Sequence, residues 1–110
     1  MSNIVIKSVA ELFGVLSNPI RVEIIVLLAE QEKDVKEIHN KLGLSSSNVS
    51  QHLSILRSHH LVTLRKQGTR VFYKLNNKKV ITIIRKTVEL LESEISEAET
   101  LKQLINKVKI

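Results

Sequence analysis

The 110-residue sequence predicts a mainly α, single-domain α+β fold in which four helices precede a β-hairpin and a long amphipathic helix follows it. Three observations carry that prediction. Apolar residues recur at helical spacing through most of the chain, and that period breaks only between about residues 61 and 75. Asn18-Pro19, Gly43 and Gly68 stand where helices and a hairpin need their punctuation.

In the first segment Val5, Val9, Leu12, Phe13 and Leu16 form one apolar stripe on a helix over 4–16. Gly14 interrupts it at a cost of ~1 kcal/mol relative to Ala, for which close approach of another helix is the expected reason. Ser17-Asn18-Pro19 ends that helix and starts the next: Asn18 is an N-cap, and Pro19 suits the first helical position, where a missing N–H loses nothing. The second helix, 19–31, is apolar nearly all round and belongs at the centre of the fold. After the polar residues 30–34, a short helix over 35–42 turns Val35, Ile38 and Leu42 inward. Gly43 follows where a left-handed residue would end it. Ser45 caps a further helix over 46–58, whose core side is Val49, Leu53 and Leu56. Helix, tight turn with Gly, helix: residues 34–58 read as a helix-turn-helix. Strands at 61–66 and 70–75 flank a Gln67-Gly68-Thr69 tip, giving a hairpin over 61–75 whose Gly supplies a positive φ. Asn76-Asn77 restart a helix, and Val80, Ile84, Val88, Leu91, Ile95, Ala98 and Ile105 keep one face to residue 108, as one long helix or two stacked ones.

Composition narrows the function. The absence of cysteine removes disulfides, thiolate chemistry and thiol-based metal binding. No apolar run approaches bilayer-spanning length and no secretory leader is evident, so a cytoplasmic protein without a membrane partner is expected. The net charge of +6 is unevenly spread: residues 1–37 and 89–110 each sum to −2, while 38–88 carry ten basic side chains and no Asp or Glu. A solvated face is the ordinary explanation of a charge run. Here 51 residues without an acid, in a chain that has eleven, repel one another unless a polyanion neutralises them. Nucleic acid is the first expectation and an anionic membrane surface the second.

With Val49, Leu53 and Leu56 inward, Ser47, Ser50, Gln51 and Ser54 fall on the outer side of the 46–58 helix. Such a small, polar, acid-free face fits the major groove, where short hydroxyls and amides reach base edges and phosphates. The free backbone N–H groups of Ser46 and Ser47 favour a phosphate. Arg65, Lys66 and Arg70 surround the hairpin tip and Lys74 lies further down, making a basic wing able to touch the backbone or enter the minor groove. The expected architecture is therefore a winged helix-turn-helix. Its terminal helices, 4–16 and 77–108, carry apolar stripes that so small a core can hardly cover. A homodimer would bury them and space two recognition helices about one DNA turn apart.

Leu16-Ser17-Asn18-Pro19-Ile20-Arg21, Leu42-Gly43-Leu44-Ser45, Val49-Ser50-Gln51-His52-Leu53, Leu56-Arg57 and Leu61-Val62 together resemble the ArsR/SmtB family of bacterial repressors, over about residues 10–97. The resemblance implies a dimer built by the first and last helices that binds double-stranded DNA at an imperfect inverted repeat in a promoter. It also implies that Ser46, Ser47, Asn48, Ser50, Gln51 and His52 occupy the recognition helix. With Ser54 and Arg57 of that helix and Arg65, Lys66 and Arg70 of the wing, these make the candidate DNA-binding set. His52 sits nearer the core edge and ranks below Ser47, Ser50 and Gln51.

Many relatives release DNA on binding a metal. The family's cysteine pair falls here on Asp34 and Lys36, and an ammonium cannot ligate a metal without losing its proton. The other common site needs Asp and His on the last helix, yet residues 76–110 contain neither. His39 stands alone, and adjacent His59 and His60 point about 100° apart on a helix, a poor chelate. No metal and no cofactor are expected; an unidentified small-molecule effector is left open. No nucleophile–base–acid set or Gly-rich phosphate loop suggests an enzyme. RNA binding would call for stacking aromatics that are missing. The competing reading is a winged-helix protein-interaction module, an antirepressor or assembly factor, which would show an apolar patch where 46–58 shows serines.

Overall fold

The computed structural model describes residues 1–108. In chain order these form α1 (Asn3–Leu16), α2 (Pro19–Glu30), β1 (Lys33–Asp34), α3 (Val35–Leu42), α4 (Ser46–Ser58), β2 (Val62–Gln67), β3 (Arg70–Leu75) and α5 (Lys79–Val108). Two compact units are distinguished, residues 1–78 and the chain from Lys79 onward.

Local chemistry sets the helix boundaries. Asn18 Oδ1 accepts from the Ile20 and Arg21 N–H groups, and with Pro19 next to it starts α2 at 89° to α1. Asp34 and Glu37 form a reciprocal capping box at the start of α3: Glu37 N–H donates to Asp34 Oδ1 at 2.8 Å and Asp34 N–H to Glu37 Oε1 at 3.3 Å. Gly43 ends α3 at φ 67°, and the Ser45 hydroxyl accepts from Asn48 N–H to begin α4. Among the described residues no single helix is long and apolar enough to cross a membrane.

The polar stretch before α3 holds an element that periodicity does not reveal. β1 pairs antiparallel with β3, Lys33 opposite Tyr73 and Asp34 opposite Phe72, which makes the hairpin a three-stranded sheet of order β1-β3-β2. The hairpin turn is also tighter than predicted. Gln67 pairs with Arg70, so Gly68-Thr69 alone make the turn, with the positive φ of 61° at Gly68 as a type II′ connection requires. α5 starts at Lys79 rather than near Asn76 because Asn76 is still tied to the chain preceding β2. Its N–H donates to the Leu61 carbonyl and its side-chain amide to the His60 carbonyl. From Lys79 the helix runs unbroken for 30 residues, one piece rather than two.

Ile24, Ile25 and Leu28 of α2 are buried together with Val15, Ile38, Val49, Leu53, Leu56, Val62 and Leu75. α2 touches α1, α3, α4 and β3, the central place that its all-round apolar sequence implied. α1 departs from its predicted stripe: Val15 is its buried residue, Leu12 and Leu16 are half-buried, and Val5, Val9 and Phe13 are exposed. A Cβ at Gly14 would meet no atom within 4 Å, so the close approach expected there is not found among the described residues. Along α5 Val80 is buried, whereas Val88, Leu91, Ile95, Leu101 and Ile105 are exposed.

Candidate nucleic-acid interface

Three fully buried residues, Val49, Leu53 and Leu56, fix the roll of α4 about its own axis. The outer face follows from that anchoring: Ser46, Ser47, Ser50, Gln51, Ser54 and Arg57 are all exposed. Their side chains make no hydrogen bond or ion pair with any other described residue. Asn48 and His52 lie one turn apart on a half-buried edge. There His52 Nδ1 accepts a hydrogen bond from Arg21 Nε of α2, at 3.3 Å.

The wing is built differently. Strand register places Arg65 opposite Phe72 and Gln67 opposite Arg70, all four on one face of the sheet. Both guanidinium groups lie 4.5 Å from the centroid of the Phe72 ring. β1 and the residues on either side of it bring acids to these arginines. Arg65 Nε donates to both carboxylate oxygens of Glu32 at 3.0 Å and Nη2 donates at 2.6 Å, while Nη1 reaches Gln67 Oε1 at 2.7 Å. Arg70 donates to Asp34 Oδ2 at 2.7 Å through Nε and to Glu37 Oε1 at 3.2 Å through Nη2. The Arg65 hydrogen bonds hold the Glu32 carboxyl below its ordinary range, and Arg65 is in turn raised above the usual guanidinium value. Asp34 is also held low, first by the Glu37 N–H and then by Arg70, against the opposing effect of its burial. Of the three candidate wing cations, only Lys66 is exposed without an ion pair among the described residues.

All eleven predicted residues thus map to α4 and the wing, but as two chemically distinct groups. Glu32, Asp34, Glu37 and Arg21 were not in the predicted set. Asp34-x-x-Glu37 is readable as a capping box, and Glu32/Asp34 at i, i+2 is the alternation of a strand face. Arg21 appeared in the sequence only as the last residue of the Leu16–Arg21 motif, with nothing there to name His52 as its partner. An open groove of about 740 Å³ lies between α3, the start of α4 and the wing tip, lined by Asp34, Lys36, Glu37, His39, Ser46 and Arg70 among others. Among the described residues no three His, Asp or Glu side chains gather closely enough to hold a metal ion. Asp34 is occupied as a helix cap and as the partner of Arg70.

With this geometry in hand, likeness to known proteins becomes informative. The model of bacterial regulatory proteins of the arsR family matches residues 18–57, from the Asn18 cap through Arg57. The HTH-type transcriptional regulator KmtR of Mycobacterium tuberculosis is 38% identical over 76 residues, 69% of this chain and 58% of KmtR. The chain therefore spans less than two thirds of that relative. The crystal structure of M. tuberculosis Rv0081 superposes with a TM-score of 0.79 at 31% identity, covering 88% of this chain and 98% of that one. The solution structure of Mb0332 from Mycobacterium bovis, a homodimeric winged helix-turn-helix DNA-binding domain, gives a TM-score of 0.76 at 26% identity over 88% and 93% of the two chains. KmtR is described as an HTH-type transcriptional regulator and Mb0332 as a possible ArsR-family transcriptional regulator. The chain belongs to the ArsR family of bacterial regulatory proteins, and its helix-turn-helix and hairpin are a winged helix of that kind.

Proposed function

We propose that this chain is a sequence-specific double-stranded DNA-binding transcription regulator, acting as a homodimer on an inverted-repeat operator in a promoter. The outer face of α4 carries the reading: a row of exposed, unengaged hydroxyls and an amide on a helix whose other face is fully buried. Donors and acceptors held this rigidly suit base edges in the major groove. Ser47, Ser50 and Gln51 are the base readers. Ser46, Asn48, His52 and Ser54 contact the backbone around them, and Arg57 and Lys66 neutralise phosphates, with Arg65 and Arg70 behind the wing tip. Exposed Val5, Val9 and Phe13 on α1 and Val88, Leu91 and Ile95 on α5 supply apolar surface for pairing two copies. A dimer seated on a promoter excludes polymerase, so the regulator acts in the cytoplasm as a repressor. It does so without a metal, since Asp34 is committed to Arg70 and the next candidate position is Lys36.

Selection from a randomised duplex pool, followed by anisotropy titration, tests this. The selected site should be an inverted repeat. Ser47→Ala with Gln51→Ala should weaken binding to it by roughly tenfold to a hundredfold and leave random duplex nearly untouched. Equal loss on both duplexes would contradict base reading by α4. Zinc or a chelator should leave the titration unchanged, and release by a metal would overturn the metal-independent reading.

A further inference from the structure

His52 stands on the half-buried edge of α4, beside rather than within the outer face, and its ring is not free to choose its hydrogen bonds. Arg21 is the reason. From the first turn of α2 its Nη1 donates to the Val15 carbonyl at 3.0 Å, and its Nε donates to His52 Nδ1 at 3.3 Å. The first bond satisfies a carbonyl in the last turn of α1, where a cation is favoured. The second decides the chemistry of the imidazole. A ring nitrogen that accepts from a guanidinium carries no proton, so the neutral ring holds its hydrogen on Nε2. Arg21 can only donate, and among the described residues no acid is bonded to the pair.

We propose that Arg21 is a positioning residue for DNA binding. It locks His52 in the Nε2–H form, so that α4 offers an uncharged N–H donor to a DNA phosphate oxygen at the edge of the base-reading face. This rests on the DNA-binding reading above. A phosphate is favoured over a base edge because His52 flanks the row of Ser47, Ser50, Gln51 and Ser54. A donor-only group also matches an acceptor-only phosphate. The same guanidinium touches the end of α1, so the register of α1 and the presentation of His52 depend on one side chain.

Two replacements of His52 separate its nitrogens. His52→Asn keeps an acceptor near the Nδ1 position but cannot reach as far as Nε2, whereas His52→Gln reaches with a donor and forgoes the Arg21 bond. His52→Asn should lose about tenfold in affinity on selected and random duplexes alike, with the salt slope unchanged because an uncharged donor releases no counterion. His52→Gln should retain most of the affinity. Arg21→Lys, which keeps the charge at the end of α1, should weaken binding severalfold in the native background and not at all in the His52→Gln background. A loss confined to the selected duplex would make His52 a base reader and overturn the phosphate role. Equal loss from Arg21→Lys in both backgrounds would make Arg21 merely structural and overturn the positioning. In the DNA-free protein, the ¹⁵N signal of His52 Nδ1 should move on Arg21→Lys while those of His39, His59 and His60 stay, and an unmoved signal would overturn the pair. That measurement stands even if the native chain binds no duplex, an outcome that would sink the DNA-binding reading and the phosphate role with it.

Discussion

α4 and the wing come from the same acid-free stretch, 38–88, yet they present opposite electrostatic situations. On α4 no carboxylate of the described residues reaches the outer face, and its hydroxyls, amide and Arg57 are left for solvent or a partner. On the wing, Arg65 and Arg70 are met by Glu32, Asp34 and Glu37, acids that lie about thirty residues earlier in the chain. A charge run along a sequence is therefore a statement about composition, and only strand pairing decides whether it is a charged surface. Counterion release, which makes DNA affinity depend on salt, scales with phosphates neutralised by cations that are not already satisfied. By that measure Lys66 is expected to contribute more than either arginine of the wing.

Substitutions at four positions probe this contrast, the largest effect first. Asp34→Ala removes the cap of α3 and should lower unfolding stability by about 1–2 kcal/mol. The exposed half of the Arg70 pair adds little to that loss. Asp34→Asn keeps a capping oxygen but no charge, so it should recover only part of that loss at pH 7, while still releasing Arg70 toward DNA. Denaturant melts paired with anisotropy separate the two effects. The native advantage over Asp34→Ala is also pH-dependent. The folded Asp34 carboxyl lies below its unfolded value, so its contribution is complete above that value and fades as pH falls below about 4. Melts that differ equally at pH 3 and pH 7 would mean that the ionised carboxylate is not what matters.

The next effect is on salt dependence. Lys66→Ala should reduce the slope of log K against log salt by about 0.9, one phosphate's worth. Arg65→Ala should reduce it by less, because Glu32 already balances that charge. Equal slopes for the two variants would show that Arg65 leaves Glu32 on binding and would erase the contrast. The smallest change is expected from Glu32→Gln, which frees Arg65. Random-duplex affinity at low salt should rise by about twofold and the slope should steepen.

Much of the fold could be read before any coordinates. Asn18-Pro19, Gly43 and Ser45 act through bonds only a few residues long, so their effects are written locally. The outer face of α4 was legible for the same reason, because a helix turns regular spacing into a surface. β1 was not, since two residues carry no period and Lys33–Asp34 become a strand only by meeting Tyr73 and Phe72. The wing's ion pairs inherit that blindness, as do the Arg21–His52 bond and the failure of Gly14 to meet a neighbour. What escaped the sequence is what depends on residues far apart in it.

Asp34 carries one last implication, for modularity. The carboxylate that begins the helix-turn-helix also fastens the hairpin, so the wing is a discontinuous part made of 32–37 and 62–75 together. Exchanging hairpins between two such proteins, to retune how tightly each holds DNA, would move the arginines and leave their carboxylates behind. The graft would arrive with a different charge from the one it had at home, and segment 32–37 would have to travel with it.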